Sequence, residues 1–264
     1  MKLIAEGKTD RGRIRDKNED CVYVDEKGGL LVVADGIGGR SHGEVASGLA
    51  VGTVRDYFRS APQTISDYNP EYRVNTNHLN CAIMQANSAV YKAALASPEL
   101  CGMGTTIAAC LLDQDLLSFA HVGDSRIYLI RSGNIEQLTS DHSFVEEQGR
   151  REGLTRKEAS RSLFKNVLTR ALGVDDEVVA DLGELTVMAG DMLLLCSDGL
   201  YNMIPDEEML EIILRAGNVR SSSEILIDIA NDNGGSDNIS AIVGYIHKNK
   251  RRPLWTAVEG NHRR

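Results

Sequence analysis

Acidic side chains stand at the ends of several short apolar runs that have the composition of β-strands. These positions are Glu19 and Asp20 before CVYV, Asp35 after LLVVA, Asp124 after LLSFAHVG, Asp198 after MLLLCS and Asp237 before NISAIVGYI. Because strands packed in a sheet bring their ends together, we expect several of these carboxylates to converge. Taken singly, Asp35-Gly36 and Asp198-Gly199 are also common hairpin-turn dipeptides, so a purely structural role is an alternative for each.

Carboxylates that converge in this way repel one another. Two unit charges about 4 Å apart repel by about 4 kcal/mol at an effective dielectric constant of about 20. Divalent cations relieve that repulsion, and an all-oxygen ligand set without histidine or cysteine selects Mg²⁺ or Mn²⁺ over Zn²⁺. A pair of such ions can hold a bridging hydroxide and stabilise both oxygens of an in-line displacement at phosphorus. The acidic set is therefore suited to phosphomonoester hydrolysis, one of the slowest uncatalysed reactions.

The charge and composition argue against a nucleic-acid binder and against a membrane protein. The 264 residues carry a formal net charge of −9, so no dominant positive field is present to neutralise phosphates. No run approaches the ~18 consecutive apolar residues of a membrane helix, and the N-terminus lacks the apolar segment of a secretory signal. The cysteines are odd in number and form no C-x-x-C pair, which predicts reduced thiols in the cytoplasm. They are Cys21, Cys81, Cys101, Cys110 and Cys196.

Short β-branched runs recur along the chain and predict antiparallel strands, because several follow one another through tight turns. The stretch 111–138, LLDQDLLSFAHVGDSRIYLIRSGNIEQL, predicts a meander of three or four strands. Apolar residues at helical spacing predict two long helices, one beginning at Ser41 with a Ser41–Glu44 capping box. Strands in runs with helices inserted between them predict an α+β fold, with sheets packed inside helical layers.

Three further segments stand out by periodicity or composition. Shorter helices are expected at 205–215 and 222–232. Residues 143–172 are polar, helical in pattern and rich in arginine and lysine. They are either a solvated excursion between strands or a mobile flap over a site for an anionic substrate. The tail 248–264 is basic and aperiodic, and we expect a disordered terminus or a docking segment without chemistry.

Other motifs compete for the same residues but do not fit. DKNEDC begins like an EF-hand loop, yet Cys21 stands where the glycine belongs and Lys27 where the bidentate glutamate belongs. GIGG opens a helix after a strand but lacks the spacing of a dinucleotide fingerprint. No cysteine has an arginine six positions later, which excludes the usual cysteine-phosphatase loop.

Seven blocks, in order from about residue 8 to residue 247, resemble the metal-dependent protein serine/threonine phosphatases of the PPM type, also called type 2C. The blocks are RIRDKNED, VVADGIGG, GMGTTIAA, HVGDSRIYLI, LTSDHS, LLLCSDGL and GGSDNISAIV. The resemblance implies two antiparallel β-sheets packed as a sandwich and flanked by helices, with a metal channel at one end. It implies a phosphatase domain over 1–247 with a helical flap at about 143–172, and leaves the tail 248–264 outside.

The resemblance also implies a metal-binding role for most of the acidic positions. Asp35 is expected to bridge two Mn²⁺ or Mg²⁺ ions, and the Gly36 carbonyl to bind one of them. Asp198 and Asp237 are expected to complete the ligand set of the other ion. Asp124, together with Asp198, matches the position that binds a third and weaker metal in bacterial members.

Four other residues are implied to assist. Asp20 and Glu19 are expected to hold metal-bound waters or to ligate directly, with Asp20 the closer of the two. Asn238 is expected to orient its neighbour in the sequence, Asp237. Arg15 matches the arginine that binds the substrate phosphate in the family. A guanidinium group is suited to this because it can donate to two phosphate oxygens at once.

The turn after Asp35 departs from the family's pattern. Many relatives carry a histidine within or just after D-G-x-G-G, where it is a candidate general acid for the leaving alkoxide. Here Ile37 and Arg40 occupy those positions, and His42 is the nearest imidazole. Three alternatives stay open: His42 substitutes, water protonates the leaving group, or Arg40 contacts the phosphate.

The residues and the resemblance together predict hydrolysis of phosphoserine and phosphothreonine on proteins, by a metal-bridged hydroxide that attacks phosphorus in line. Phosphoprotein substrates and a cognate serine/threonine kinase are the expected partners of a cytoplasmic monomer that binds neither nucleic acid nor membrane. A catalytically weak regulatory pseudophosphatase and a small-molecule phosphatase on the same fold are the alternatives. The complete carboxylate set argues against the first, and the basic segment 143–172 favours a protein substrate over the second.

Overall fold

Two antiparallel β-sheets lie face to face, and helices cover the outer face of each sheet. The computed structural model describes residues 1–37, 42–60, 65, 68–152 and 167–248, without the side chains of 150–152. The two packed sheets and the helices that cover them confirm the predicted α+β fold, with two sheets inside helical layers.

The first sheet contains five strands, and every neighbouring pair in it is antiparallel. In spatial order the strands are β1 (Lys2–Asp10), β11 (Ile239–His247), β10 (Met192–Cys196), β7 (Arg126–Arg131) and β8 (Asn134–Gln137). The long pairing of β1 with β11 joins the two ends of the described chain, since Lys2 lies opposite His247.

The second sheet is also antiparallel, and one of its interior strands carries the LLVVA run. The strands in spatial order are β2 (Asp20–Asp25), β3 (Leu30–Ile37), β5 (Ile107–Asp113), β6 (Leu116–Val122) and β9 (Asp181–Thr186), and β4 (Gly104–Thr105) pairs with the end of β3. Residues 30–34 are all buried, because β3 has the other sheet on one face and helices on the other. A continuous apolar run is the expected pattern for a strand covered on both faces.

Helices form the two outer layers. The second sheet is covered by α1 (Gly43–Ser60) and α2 (Val74–Ala96), and the first by α5 (Asp206–Ala216) and α6 (Val219–Asp232). Two shorter helices are α3 (Phe144–Glu152) and α4 (Asp198–Tyr201), and a 3-10 turn covers Pro98–Leu100. The four covering helices confirm the predicted ones. The last begins three residues earlier than expected because Asn218 caps it, its side chain accepting a hydrogen bond from the Ser221 amide at 2.9 Å.

The predicted meander of three or four strands at 111–138 is wrong, because the strands of this stretch do not share one sheet. The β5–β6 hairpin belongs to the second sheet and the β7–β8 hairpin to the first. The chain crosses between the sheets at Gly123, whose φ of 99° is a conformation that favours glycine. Alternating strands separated by tight turns look the same in a sequence whether they share a sheet or change sheets. The crossing also places Asp124 at the end of the sandwich.

The predicted flap and tail are only partly covered by the described residues. Helix α3 and the segment 167–172 belong to the expected flap, and an isolated bridge joins Ser143 to Leu168. Residues 153–166 and 249–264 lie outside the described residues, so the domain bounds stay a prediction. Within the described ranges, no helix is long and apolar enough to cross a membrane.

Candidate active site

The predicted acidic residues converge at one end of the sandwich, around a cavity of about 550 Å³. The register of β2 with β3 places Asp20 directly opposite Asp35. In the other sheet, Asp198 follows β10 by two residues and Asp237 precedes the neighbouring strand β11 by two. Eight of the predicted residues line the cavity: Arg15, Glu19, Asp35, Gly36, Asp124, Asp198, Asp237 and Asn238.

Two glycines allow the carboxylate-bearing loops to approach one another. A Cβ atom on Gly36 would lie 2.3 Å from the Gly43 carbonyl oxygen and 2.5 Å from that of Glu19. A Cβ atom on Gly199 would lie 2.0 Å from the Asn238 carbonyl oxygen. Since these contacts are with backbone, any larger residue at either position would push apart the loops that carry Asp35 and Asp198.

The main chain of Asp35 is held by two threonines that the sequence analysis did not single out. The Asp35 amide donates to Thr106 Oγ1 at 3.0 Å, and the Asp35 carbonyl accepts from the Thr106 amide at 2.8 Å. The same carbonyl accepts from Thr105 Oγ1 at 2.8 Å. These bonds use only main-chain atoms of Asp35, so its carboxylate is left to face the cavity.

Asp20 has one occupied and one orphaned carboxylate oxygen. Ser197 and Ser240 donate to Oδ2 at 2.7 and 2.6 Å, whereas Oδ1 has no partner among the described residues although Asp20 is only 9% exposed. Oδ1 of Asp198 is orphaned in the same way. A buried carboxylate oxygen without a partner destabilises the folded state. A bound cation would give both of these oxygens a partner.

Arg15 and Asp237 form an ion pair at the cavity. Arg15 Nη2 donates to Asp237 Oδ2 at 2.7 Å, and the other oxygen, Oδ1, accepts from the Asn238 amide at 2.8 Å. The pKa of Arg15 is raised by Asp237, Asp198 and Asp35, against the opposing effect of partial burial. The arginine therefore supplies positive charge next to the carboxylates.

The carboxylates are held close enough to raise one another's pKa. The pKa of Asp35 and that of Asp198 are both well above the usual range of a carboxyl group, and burial is the largest cause. For Asp35 the next causes are the charges of Asp20 and Asp198. The pKa of Asp20 is raised to about 6 by burial, and that of Asp124 to about 6 by burial and the charge of Asp141. An all-oxygen cluster with this much unrelieved negative charge fits hard divalent cations.

Glu19 and Asn238 take up positions that the sequence did not specify. Glu19 lines the cavity and accepts a hydrogen bond from the Gly43 amide through Oε1 at 3.1 Å. The Asn238 side chain is 5% exposed; its Oδ1 accepts from the Glu19 amide at 2.8 Å, and its Nδ2 donates to the Arg11 and Lys17 carbonyls. Only the main chain of Asn238 contacts the Asp237 carboxylate. The main role of the Asn238 side chain is therefore to hold in place the loop that carries Arg15.

The structure leaves the general acid unassigned. His42 lies before α1 with its Nδ1 3.6 Å from Glu44 Oε1, and no histidine is found among the described residues that line the cavity. Arg40 and Ser41, the predicted capping residue, lie outside the described residues.

Residues between 168 and 179 form a second part of the cavity wall, called here the opposite wall. Those up to 172, Arg170 among them, belong to the predicted flap, while the later ones were not predicted. The opposite wall combines Arg170 and the acidic pair Asp175 and Glu177 with apolar side chains. Buried Asn87 of α2 anchors this wall: its Oδ1 accepts from the Gly173 amide at 2.7 Å, and its Nδ2 donates to the Asp175 carbonyl at 3.1 Å. An asparagine within a predicted helix carries no sign of a partner 88 residues away, so the sequence offered no signal for it.

The chain is similar in sequence and structure to a set of known phosphatases. The sequence model of the protein phosphatase 2C family matches residues 13–238. Serine/threonine phosphatase stp of Listeria innocua is 38% identical over 244 residues, which cover 91% of this chain and 95% of that protein. The crystal structure of the serine/threonine phosphatase PstP/Ppp of Mycobacterium tuberculosis superposes with a TM-score of 0.83 at 35% identity, covering 94% of this chain and 100% of that one.

A second solved structure, the catalytic domain of PstP in complex with two manganese ions, has a TM-score of 0.80 at 36% identity and covers 94% of this chain and 99% of that chain. The two-sheet fold and the acidic cavity therefore define the chain as a phosphatase-like enzyme. The chain belongs to the protein phosphatase 2C family, as its motifs indicated.

Proposed function

We propose that this chain is a metal-dependent phosphatase that hydrolyses phosphoserine and phosphothreonine on proteins. The observation that carries the proposal is the carboxylate cluster with two orphaned buried oxygens, on Asp20 and Asp198, beside the cationic Arg15. Its relatives are named serine/threonine phosphatases, which supports the substrate class.

The carboxylates would hold two Mn²⁺ or Mg²⁺ ions, with a weaker third. Asp35 and the Gly36 carbonyl would bind one ion, while Asp35, Asp198 and Asp237 would bind the other. Asp124 with Asp198 would bind the third. When bound, these cations lower the pKa of the attacking water and neutralise the charge that develops on the phosphoryl group.

The side chains around the cluster would position it and the substrate. Ser197 and Ser240 fix one oxygen of Asp20, so its other, unpaired oxygen would be the one available to a cation or to a metal-bound water. Glu19 lines the cavity and would hold water near the carboxylates. Arg15 would exchange its bond to Asp237 for two phosphate oxygens, which brings the phosphoryl group against the cluster. A phosphatase of this kind would oppose a serine/threonine kinase as a cytoplasmic monomer.

The substrate assignment is tested by comparing hydrolysis of a phosphothreonine peptide and of a nucleoside monophosphate at equal concentration, with Mn²⁺ present. We expect kcat/KM for the peptide to be higher by about tenfold or more, because the nucleotide lacks the main chain that the opposite cavity wall can contact. Equal or higher turnover of the nucleotide would assign the chain to small-molecule substrates. Calorimetric titration with Mn²⁺ separates a pseudophosphatase, which would give little heat and no turnover.

The raised carboxylate pKa values predict an unusual pH dependence for the metal-free protein. The pKa of Asp20 and of Asp124 is about 6 in the folded chain against an ordinary value of 3.8, so the folded state keeps protons that the unfolded chain releases. Their contribution to stability is complete below about pH 4 and is lost as the pH rises through about 6; for one group it is on the order of 3 kcal/mol.

We therefore expect thermal unfolding in EDTA to give a higher Tm at pH 5 than at pH 7.5, and saturating Mn²⁺ to abolish the difference. The matched variant is Asp20→Asn, which should show a shallower fall of Tm over the same pH range. An equally steep fall in that variant would mean that groups elsewhere cause the pH dependence.

A further inference from the structure

A chain of polar contacts connects the turn before Asp124 with the opposite wall of the cavity. The Gly123 amide donates to His142 Nδ1 at 3.1 Å, and His142 Nε2 lies 3.2 Å from Asp181 Oδ2. The other oxygen of Asp181, Oδ1, accepts from Arg170 Nη1 at 2.6 Å. The chain therefore begins beside one of the carboxylate-bearing turns and ends on a guanidinium that lines the cavity.

The first contact determines which nitrogen of His142 carries the proton. Because Nδ1 accepts from an amide, it is unprotonated, and in the neutral ring the proton must be on Nε2, facing Asp181. The ring is neutral because its 1% exposure and the neighbouring His121 lower the pKa of His142 to about 4. His121 stacks on it at 4.4 Å between ring centroids and has its Nε2 2.9 Å from the Ser140 carbonyl, to which it donates.

The same geometry argues against a metal ion at this cluster. Ligand atoms of His121, His142 and Asp181 all lie within 4.8 Å of one another, a spacing that a cation could bridge. A cation at Nε2 of a neutral imidazole requires the proton on Nδ1, where the Gly123 amide already points. The proton on Nε2 instead faces Asp181 Oδ2 at 3.2 Å, a contact outside hydrogen-bond geometry, so His142 acts on the Asp181 carboxylate through electrostatic attraction.

Arg170 is held by only one of its terminal nitrogens. Nη1 donates to Asp181 and to the Val179 carbonyl at 3.1 Å, and no acceptor contacts Nε or Nη2 among the residues that the structure describes. Arg15 is bonded to Asp237 within the carboxylate cluster, whereas Arg170 is bonded to Asp181 outside it. Arg170 is therefore suited to a part of the substrate that lies away from the phosphoryl group.

We propose that Arg170 binds a main-chain carbonyl or carboxylate oxygen of the phosphoprotein next to the phosphorylated residue, and that His142 and Asp181 are positioning residues that aim it. The inference rests on the proposed function and adds to it the residue that distinguishes a peptide from a small phosphate ester. Asp181 holds Arg170 through Oδ1, and the Nε2 proton of His142, which faces Oδ2 at 3.2 Å, favours that orientation of the carboxylate by electrostatic attraction.

Two substitutions of His142 separate its two contacts. In His142→Asn, Oδ1 replaces Nδ1 and can still accept from the Gly123 amide, but no donor reaches Asp181. In His142→Gln, the side-chain Nε2 keeps an N–H group facing Asp181. We expect His142→Asn to raise KM for a phosphothreonine peptide by about fivefold to tenfold with little change in kcat, and His142→Gln to stay within about twofold of the wild type.

A double-mutant cycle with Arg170→Ala tests whether His142 acts through the arginine. Arg170→Ala alone should raise the peptide KM at least as much as His142→Asn, and the double variant should match Arg170→Ala. The effect on KM for para-nitrophenyl phosphate should be clearly smaller in each variant, since that substrate has no peptide. His78→Asn, a histidine on α2 away from the cavity, serves as the matched control.

Additive effects in the cycle, an unchanged peptide KM in His142→Asn, or equal KM effects on both substrates would overturn the proposal. Because His142 is buried, each variant is first compared with the wild type by thermal unfolding. If His142→Asn does not fold, Asp181→Asn replaces it, since that side chain is 43% exposed and its loss should raise the peptide KM in the same way. Failure of the proposed function itself looks different, because the wild type would then hydrolyse neither substrate.

Discussion

Replacing Asp35 by asparagine is expected to lower kcat for a phosphothreonine peptide by about a thousandfold or more, because Asp35 is the carboxylate assigned to both cations. Its neighbours cannot substitute for it. Asp20 lies opposite on β2 with one oxygen fixed by two serines, and Asp198 follows a strand of the other sheet. Initial rates at saturating Mn²⁺ measure the effect.

The same substitution should make the metal-free protein more stable. Burial and the charges of Asp20, Asp198, Asp124 and Asp237 all raise the pKa of Asp35, so its ionised form is a cost to the folded state at neutral pH. An amide of the same shape removes that charge, and we expect Tm in EDTA to rise by several degrees. Activity and stability are therefore expected to change in opposite directions.

Asp115→Asn is the matched control, since this exposed aspartate in the β5–β6 turn should change neither quantity. Asp35→Asn with near-wild-type turnover would contradict the metal assignment. A fall in both Tm and turnover would show instead that Asp35 serves to hold the turn together.

Residues whose type is set by their immediate neighbours in the chain, such as strand-end carboxylates and turn glycines, could be predicted from the sequence. The acidic positions, the LLVVA strand and the helix after it each carry their own signal, since a buried strand is apolar throughout and a helix repeats its apolar face. Gly36 and Gly199 were identifiable as turn residues next to aspartates. Their close approach to Glu19, Gly43 and Asn238 was not, because those contacts join separate parts of the chain.

What the sequence could not specify is how the site is assembled across the two sheets. Asp20 of the second sheet is fixed by Ser197, which follows β10, and by Ser240, which lies in β11, both strands of the first sheet. Equivalent serines occur throughout the chain, and nothing in their neighbours marks these two. Strand β9 was also missed because DLGELT is short and mixed in polarity, although Asp181 begins it.

Because the cluster spans both sheets, closing the sandwich and assembling the site are one event. The inter-sheet core, including Leu31, Ile127 and Ile242, must pack before Asp35 meets Asp198. The apolar burial that holds the sheets together therefore also offsets the repulsion between the carboxylates that they bring together.

Replacing Arg15 by alanine is expected to lower kcat/KM for the phosphothreonine peptide by about a hundredfold, through loss of a charge-assisted bidentate contact with the phosphate. Arg15→Lys should recover only part of this loss, because an ammonium group keeps the charge but lacks the planar fork. Steady-state kinetics of the three proteins measure the series. Arg11→Ala, in the same loop and also exposed, is the control and should leave kcat/KM near the wild-type value.

The affinity for Mn²⁺ should not fall with turnover when Arg15 is replaced by alanine. Asp237 has to give up its 2.7 Å ion pair with Arg15 before it can bind a cation, and Arg15 also repels the incoming charge. Calorimetric titration of Arg15→Ala should therefore show Mn²⁺ binding at least as tight as in the wild type, even though turnover has fallen. Weaker Mn²⁺ binding in proportion to the lost activity would mean that Arg15 supports the metal ligands, and the phosphate contact would then have to be assigned to another residue of the cavity.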